Sequence, residues 1–193
     1  MTQTKSDILL ILDLDETLIH ATAARLATDP DGHLAGYHIY KRPGLDTFLQ
    51  YSLSHYRVAI WSSASDDYVY NIVEWLGIGE CLEFIWGRSR TTTRVISATD
   101  DYGQYDQDRP SHYGYVKPLK KVRRRGYDLN RVLIVDDTPA KVRGNYGNAI
   151  YVTEFKGSPD DTELKELATY LDTLKFADNV RHIEKRNWKR RIV

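Results

Sequence analysis

Apolar residues in this chain come in short unbroken runs that stop abruptly at polar or acidic residues. Ile8-Leu9-Leu10-Ile11-Leu12 ends at Asp13, Val58-Ala59-Ile60-Trp61 at Ser62, and Val132-Leu133-Ile134-Val135 at Asp136-Asp137. Ala149-Ile150-Tyr151-Val152 is a fourth run. Apolar runs of strand length with no alternation fit strands buried on both faces, as in a parallel sheet covered by helices. Between the runs the period changes. Leu45, Phe48, Leu49 and Leu53 recur at near-helical spacing behind Pro43-Gly44, and Leu164, Leu167, Leu171 and Leu174 do so behind Asp160-Asp161. Val69, Ile72, Val73 and Leu76 mark a third helical face; Ser65 suits its N-cap, Asp66 and Asp67 its first turn, and Gly77 its end. This alternation predicts an α/β fold on a parallel sheet.

The remaining stretches carry weaker signals. Ile19 to Tyr37 is mixed in character, with a turn at Asp29-Pro30-Asp31-Gly32. From about 84 to 115 the rhythm breaks: Phe84-Ile85-Trp86 fits a short strand, and a polar, Thr- and Tyr-rich segment follows. Its turn signals are Asp100-Asp101-Tyr102-Gly103 and Arg109-Pro110. We read it as a β-insert, a hairpin or small antiparallel sheet with long loops, and insertions of that length are more often functional or disordered than neutral. Lys117-Pro118-Leu119 opens a short helix ending at Gly126, and Pro139 fits the first turn of another. A last helix and basic tail fill about 160–193, the tail reading as a solvated face with Trp188 available to dock it.

Composition narrows the setting. The 193 residues suit one domain, and 27 Lys+Arg against 27 Asp+Glu give no global charge to draw the chain to nucleic acid or membrane. The lone Cys81 rules out an internal disulfide framework, and no apolar run reaches spanning length. The expectation is a soluble, cytoplasmic protein. Lys120, Lys121, Arg123, Arg124 and Arg125 form a basic run that reads first as a charged helix face and second as a phosphate-facing one.

Parallel strands bring their carboxyl ends to one edge, so Asp13, Asp15, Ser62, Asp136 and Asp137 converge there although they are far apart in sequence. Asp13 and Asp15, two positions apart, face the same side of extended chain. Close carboxylates repel unless a cation compensates. Lys117 is placed to join them. Carboxylates, a hydroxyl and a lysine together suit Mg²⁺-assisted phosphoryl transfer.

Asp13-Leu14-Asp15-Glu16-Thr17-Leu18 resembles the Asp-x-Asp-x-Thr signature of the haloacid dehalogenase superfamily. In its Asp-Leu-Asp-Glu-Thr-Leu form it is similar to the phosphatases of the RNA polymerase II C-terminal domain, also called NLI-interacting-factor-like phosphatases. Lys41-Arg42-Pro43-Gly44, Trp61-Ser62-Ser63-Ala64, Tyr115-Val116-Lys117 and Ile134-Val135-Asp136-Asp137 follow in that family's order. The resemblance implies a Rossmann-like three-layer sheet with a small β-insert and no large cap domain. It implies that Asp13 is the nucleophile that forms an aspartyl-phosphate, and that Asp15 is the general acid and base whose backbone carbonyl also binds metal. Thr17 orients Asp15, Ser62 holds the phosphoryl group, and Lys117 neutralises it. Asp136 would bind Mg²⁺ directly, with Asp137 either assisting or bound through water. Arg88 and Arg90 in the insert, with Arg42 and Ser63, are candidate substrate contacts, the arginines having a solvated alternative. Tyr102, Tyr105, Tyr113 and Tyr115 form either an aromatic substrate wall or packing.

The expected substrate is a phosphoserine or phosphothreonine side chain of a protein. Two alternatives stand beside it: a phosphatase of nucleic-acid ends or small metabolites, and a non-catalytic peptide-binding scaffold like the mitochondrial translocase receptor domain. Retained acids at the shared site favour the enzyme.

Overall fold

A computed structural model describes residues 5–96 and 112–192. In chain order the strands are β1 (Leu9–Leu12), β2 (Ile19–Thr22), β3 (Gly32–Leu34), β4 (Tyr37–Lys41), β5 (Arg57–Trp61), β6 (Leu82–Trp86), β7 (Thr92–Ile96), β8 (His112–Val116), β9 (Val132–Asp136) and β10 (Ala149–Tyr151). The helices are α1 (Leu45–His55), α2 (Asp66–Trp75), α3 (Lys120–Arg123) and α4 (Glu163–Leu174).

The four apolar runs become β1, β5, β9 and β10 of a five-stranded parallel sheet, ordered β10-β9-β1-β5-β6. Every residue of β1 is fully buried because β1 is central and covered on both faces. Alternate residues serve opposite layers. Leu10 and Leu12 pack with the apolar sides of α1, α2 and α4, including Phe48, Ile72, Leu167 and Leu171. Leu9 and Ile11 pack on the other face with Trp61, Leu119, Val122 and Val142. The result is the expected three-layer α/β arrangement, with β1, β5 and β9 delivering their last residues to one edge. Gly77 ends α2 in the left-handed region, φ 69°, where a side chain would be strained.

Four local expectations change. Phe84-Ile85-Trp86 belongs to β6, an edge strand of the main sheet, so the insert proper is the antiparallel β7–β8 hairpin. Trp86 pairs in register with Trp61, and a strand ending in two aromatics cannot be assigned to sheet or insert by periodicity alone. The mixed stretch after Leu18 folds as a three-stranded antiparallel sheet, β2-β4-β3, that the apolar pattern does not announce. Its strands are three to five residues long and only partly buried, which leaves little alternation to read. Gly32 is required there, since a Cβ would stand 2.8 Å from the Trp75 ring. After Pro139 the chain makes turns and no helix. Finally, the basic tail is docked. Trp188 is buried with its ring stacked on Tyr170, and its Nε1 donates to Tyr151 O at 2.7 Å. Lys185 is buried as well, its ammonium donating to the carbonyls of Val180 and Ile183. The turn signals at 100–103 and 109–110, with Tyr102 and Tyr105, lie outside the described residues.

Candidate active site

Asp13 stands one residue beyond β1, and its amide donates to Val135 O at 3.1 Å, so the β1–β9 ladder runs up to the site. Its carboxylate is buried. Oδ1 accepts from Leu14 N at 2.9 Å and lies 2.9 Å from Lys117 Nζ, while Oδ2 lies 3.2 Å from Lys141 Nζ. Lys117, itself fully buried, also reaches Asp136 Oδ2 at 2.7 Å. Asp136 Oδ1 accepts from Thr138 N at 2.9 Å, and Asp137 Oδ2 accepts from Thr138 Oγ1 at 2.8 Å. Lys141 completes the group at 3.5 Å from Asp137 Oδ1. The segments carrying the two lysines are tied together: Lys117 N donates to Lys141 O at 2.6 Å, and Asn145 Nδ2 to Lys117 O at 3.1 Å.

Asp15 points to different partners. Tyr68, in the first turn of α2, donates its hydroxyl to Asp15 Oδ1 at 2.7 Å, and Ser62 donates to Oδ2 at 3.3 Å. Ser62 Oγ in turn accepts from Ala64 N at 3.0 Å, which fixes the hydroxyl at the end of β5.

These surroundings separate the acids electrostatically. Burial alone would push the Asp13 carboxyl up, but the ammonium groups of Lys117 and Lys141 outweigh it and hold the group below the usual aspartate value. Burial raises Asp15, with the Tyr68 hydrogen bond opposing and the charge of Asp13 adding. Burial likewise pushes Asp136 up to about 7 despite Lys117. Burial would lower Lys141, yet Asp13, Asp136 and Asp137 raise it above an ordinary lysine.

Three carboxylates thus face two ammonium groups, and one oxygen each from Asp13, Asp136 and Asp137 falls within 4.8 Å of the others. An anionic, all-oxygen donor set fits Mg²⁺, a hard cation that keeps waters and substrate oxygens among its ligands. The Asp15 carboxylate is not part of that trio.

The other candidates separate cleanly. Arg88 lines a depression of about 370 Å³ that opens beside Asp15, between Tyr37, Tyr68 and Ala64. Its Nε donates to Ser63 O at 3.0 Å and its guanidinium lies over the Tyr115 ring. Arg90 points elsewhere, over Trp86 in a separate recess with Arg125 and Glu83. Arg42 is not a substrate contact. It is fully buried, with Nε and Nη2 each donating to Asp161 at 2.8 Å and Nη1 to Thr17 O at 3.0 Å. Thr17 is buried, but its Oγ1 has no hydrogen-bond partner among the described residues, so its side chain does not orient Asp15 as expected. Of the basic run, Lys121 ties α3 to the insert's root by donating to Arg90 O at 2.9 Å and Thr91 O at 2.7 Å. Tyr113 and Tyr115 are exposed on β8.

Sequence reasoning passed over Lys141 and Tyr68. Lys141 lies four residues beyond Asp137, and the turns after Pro139, not a helical face, bring the two side chains together. Tyr68 had no signal either; only the seating of α2 against β5 brings it to Asp15.

A parallel sheet that gathers Asp-x-Asp, a hydroxyl, a lysine and a second acidic pair on one edge defines the haloacid dehalogenase-like hydrolases. Solved structures agree on the fold. A haloacid dehalogenase-like family hydrolase from Xanthomonas campestris superposes with a TM-score of 0.55 at 9% identity, covering 91% of this chain and 99% of that one. The fission yeast RNA polymerase II CTD phosphatase bound to beryllium fluoride gives 0.53 at 20% identity, covering 90% of this chain and 53% of that one.

The family model of the NLI interacting factor-like phosphatases matches residues 8–181, and the chain belongs to that family. It is a phosphatase by that membership, which decides against the scaffold alternative. Among curated relatives, nuclear envelope morphology protein 1 of Saccharomyces cerevisiae is 28% identical over 90% of this chain and 40% of its own length. The CTD nuclear envelope phosphatase 1 homolog of Drosophila melanogaster is 28% identical over 92% and 72%, and CTD nuclear envelope phosphatase 1B of Danio rerio 29% over 93% and 71%. The chain therefore spans well under half of the yeast relative. These relatives overturn the expectation of a plainly cytoplasmic protein, since they are proteins of the nuclear envelope. Among the described residues no helix is long and apolar enough to cross a membrane.

Proposed function

We propose that this protein is a Mg²⁺-dependent phosphomonoesterase that removes phosphate from serine or threonine side chains of proteins through an aspartyl-phosphate on Asp13. The observation that carries this reading is the buried Asp13 carboxylate held between two ammonium groups, with Asp15 turned to a separate pair of hydroxyls.

Asp13 Oδ2 makes only the longer contact, to Lys141, and is the oxygen free to attack phosphorus. As that bond forms, the ester P–O bond breaks. Asp15, held by Tyr68 and Ser62 and raised by burial, gives its proton to the departing serine oxygen. Asp15, now a base, takes a proton from water as the water attacks the phosphorus. Phosphate leaves, and the Asp13 carboxylate returns. Lys117 and Lys141 balance charge on the phosphoryl oxygens throughout, and Ser62 lies beside Asp15 to hold them. Mg²⁺ bound by Asp13, Asp136 and Asp137 would supply further positive charge against the phosphate.

Relatives named as CTD nuclear envelope phosphatases support a protein substrate and a place at the nuclear envelope. Wild-type protein should hydrolyse p-nitrophenyl phosphate and a phosphoserine peptide with added Mg²⁺, stop on chelation, and recover when Mg²⁺ is restored. The Asp13→Asn variant should lose about a thousandfold or more in kcat. Robust turnover by that variant would remove Asp13 from the role of nucleophile.

A further inference from the structure

A second cationic recess lies just outside the lysine pair. It encloses about 350 Å³ between the root of the β7–β8 hairpin and the turn after β9, and Arg94, Lys120 and Arg143 supply its charge. Among the described residues no acidic side chain lines it, and none of the three cations has an ion-pair partner. That sets them apart from Lys121, which is spent on two backbone carbonyls. The walls between the cations are Val116, Pro118 and Ala140.

The position matters as much as the charge. Val116 and Pro118 flank Lys117, while Ala140 precedes Lys141 and Arg143 follows it by two residues. Consecutive Cα atoms are about 3.8 Å apart, so the wall formed by Val116, Pro118 and Ala140 is built from immediate neighbours of both lysines that hold Asp13. The bond from Lys117 N to Lys141 O, 2.6 Å long, fastens its two halves together. Three like charges around one hollow repel each other until an anion is shared among them. The planar forks of two arginines suit phosphate oxygens in particular.

We propose that this recess is a second anion subsite, which binds a further phosphorylated side chain of the substrate polypeptide near the phosphate undergoing hydrolysis. The enzyme then prefers multiply phosphorylated segments. A single phosphorylated side chain matches a concave recess of this size, whereas a membrane surface offers charge in a plane. The inference rests on the protein-phosphatase reading above.

The test compares peptides carrying one phosphoserine with matched peptides carrying a second one nearby at varied spacing. Wild-type kcat/KM should be about tenfold higher for the best doubly phosphorylated peptide, roughly 1.4 kcal/mol, and the preference should shrink as salt rises. The combined Arg94→Ala, Lys120→Ala and Arg143→Ala variant should lose the preference. Its rates on p-nitrophenyl phosphate and singly phosphorylated peptide should stay within about twofold of wild type. Equal wild-type rates on both peptides, or a preference that survives the triple substitution, would overturn the subsite. So would an unchanged peptide preference accompanied by lost binding to phosphatidic-acid vesicles, which would assign the recess to a membrane. If aryl phosphate is hydrolysed and no phosphopeptide is, the protein-phosphatase reading fails separately. Peptide affinity for the Asp13→Asn protein then decides the subsite: tighter binding of the doubly phosphorylated peptide, abolished by the triple substitution, supports it, and equal binding overturns it.

Discussion

Asp13 and Asp15 are the same side chain two residues apart, yet the fold gives them opposite electrostatic settings. Lys117 and Lys141 hold Asp13 as an anion, and burial with only hydroxyl partners keeps Asp15 closer to its protonated form. Two acids whose tendencies to ionise are driven apart can divide nucleophilic and proton-transfer duties. Tyr68 is the residue on which that division can be tested without touching either acid. Removing its hydroxyl deletes a hydrogen bond to Asp15 of a kind worth about 1.5–3 kcal/mol. We expect Tyr68→Phe to lower kcat at least tenfold while leaving KM for p-nitrophenyl phosphate nearly unchanged, as steady-state kinetics would show. An equal rise in KM with kcat intact would make Tyr68 a binding residue instead. Asp13, Asp15, Ser62, Lys117 and Asp136 were legible from sequence because each ends or borders an apolar run or falls in a family motif. Lys141 and Tyr68 are in neither position.

At the scale of elements, Arg42 joins pieces that are distant in sequence. It leaves β4, pairs bidentately with Asp161 before α4, and donates to Thr17 O in the loop that carries Asp15. Phe155 N donates to Glu16 O at 2.8 Å, so that loop is held both by Arg42 and by the segment leading into α4. The motif Lys41-Arg42-Pro43-Gly44 reads equally well as a substrate contact, because a sequence shows an arginine's charge and not the carboxylate it meets 119 positions later. Breaking a buried pair on one side leaves the other charge uncompensated, at about 3–5 kcal/mol. Asp161→Asn should therefore lower the stability measured by urea unfolding by about that amount near pH 7. Burial raises the Asp161 carboxyl, but the Arg42 bonds outweigh it and leave the group below 3.8. A depressed folded-state value contributes stability above pH 3.8 that is lost as pH falls through that lower value. Wild type should accordingly lose more stability than Asp161→Asn on acidification below about pH 4, and parallel acid limbs would refute the pair's contribution.

Across the whole molecule, the C-terminal segment is part of the fold and not a solvated appendage. Trp188 closes over Tyr170 of α4 and bonds to the edge strand β10, while Lys189 pairs with the buried Glu163. Glu163 Oε1 accepts from Thr153 N at 3.0 Å, and its other oxygen lies 3.8 Å from Arg42, so the tail reaches the same junction that supports the catalytic loop. Emptying such an aromatic site costs about 3–5 kcal/mol. Trp188→Ala should lower Tm by about 10 °C in a thermal melt, and a change under about 2 °C would show that the tail does not contribute to stability.

The sequence by itself determined the layers, the central sheet and the edge at which the acidic residues gather. Fully apolar runs have to be covered on both faces, and parallel strands have to bring their ends together. Only the tertiary structure decided which charges meet. It placed Lys141 on Asp13, buried Arg42 against Asp161, moved β6 into the main sheet, and folded 19–41 into a small antiparallel sheet. Those outcomes depend on pairings between residues far apart in the chain, where no local period or spacing records the partner. It also left Arg94, Lys120 and Arg143 without ion-pair partners among the described residues, around one recess.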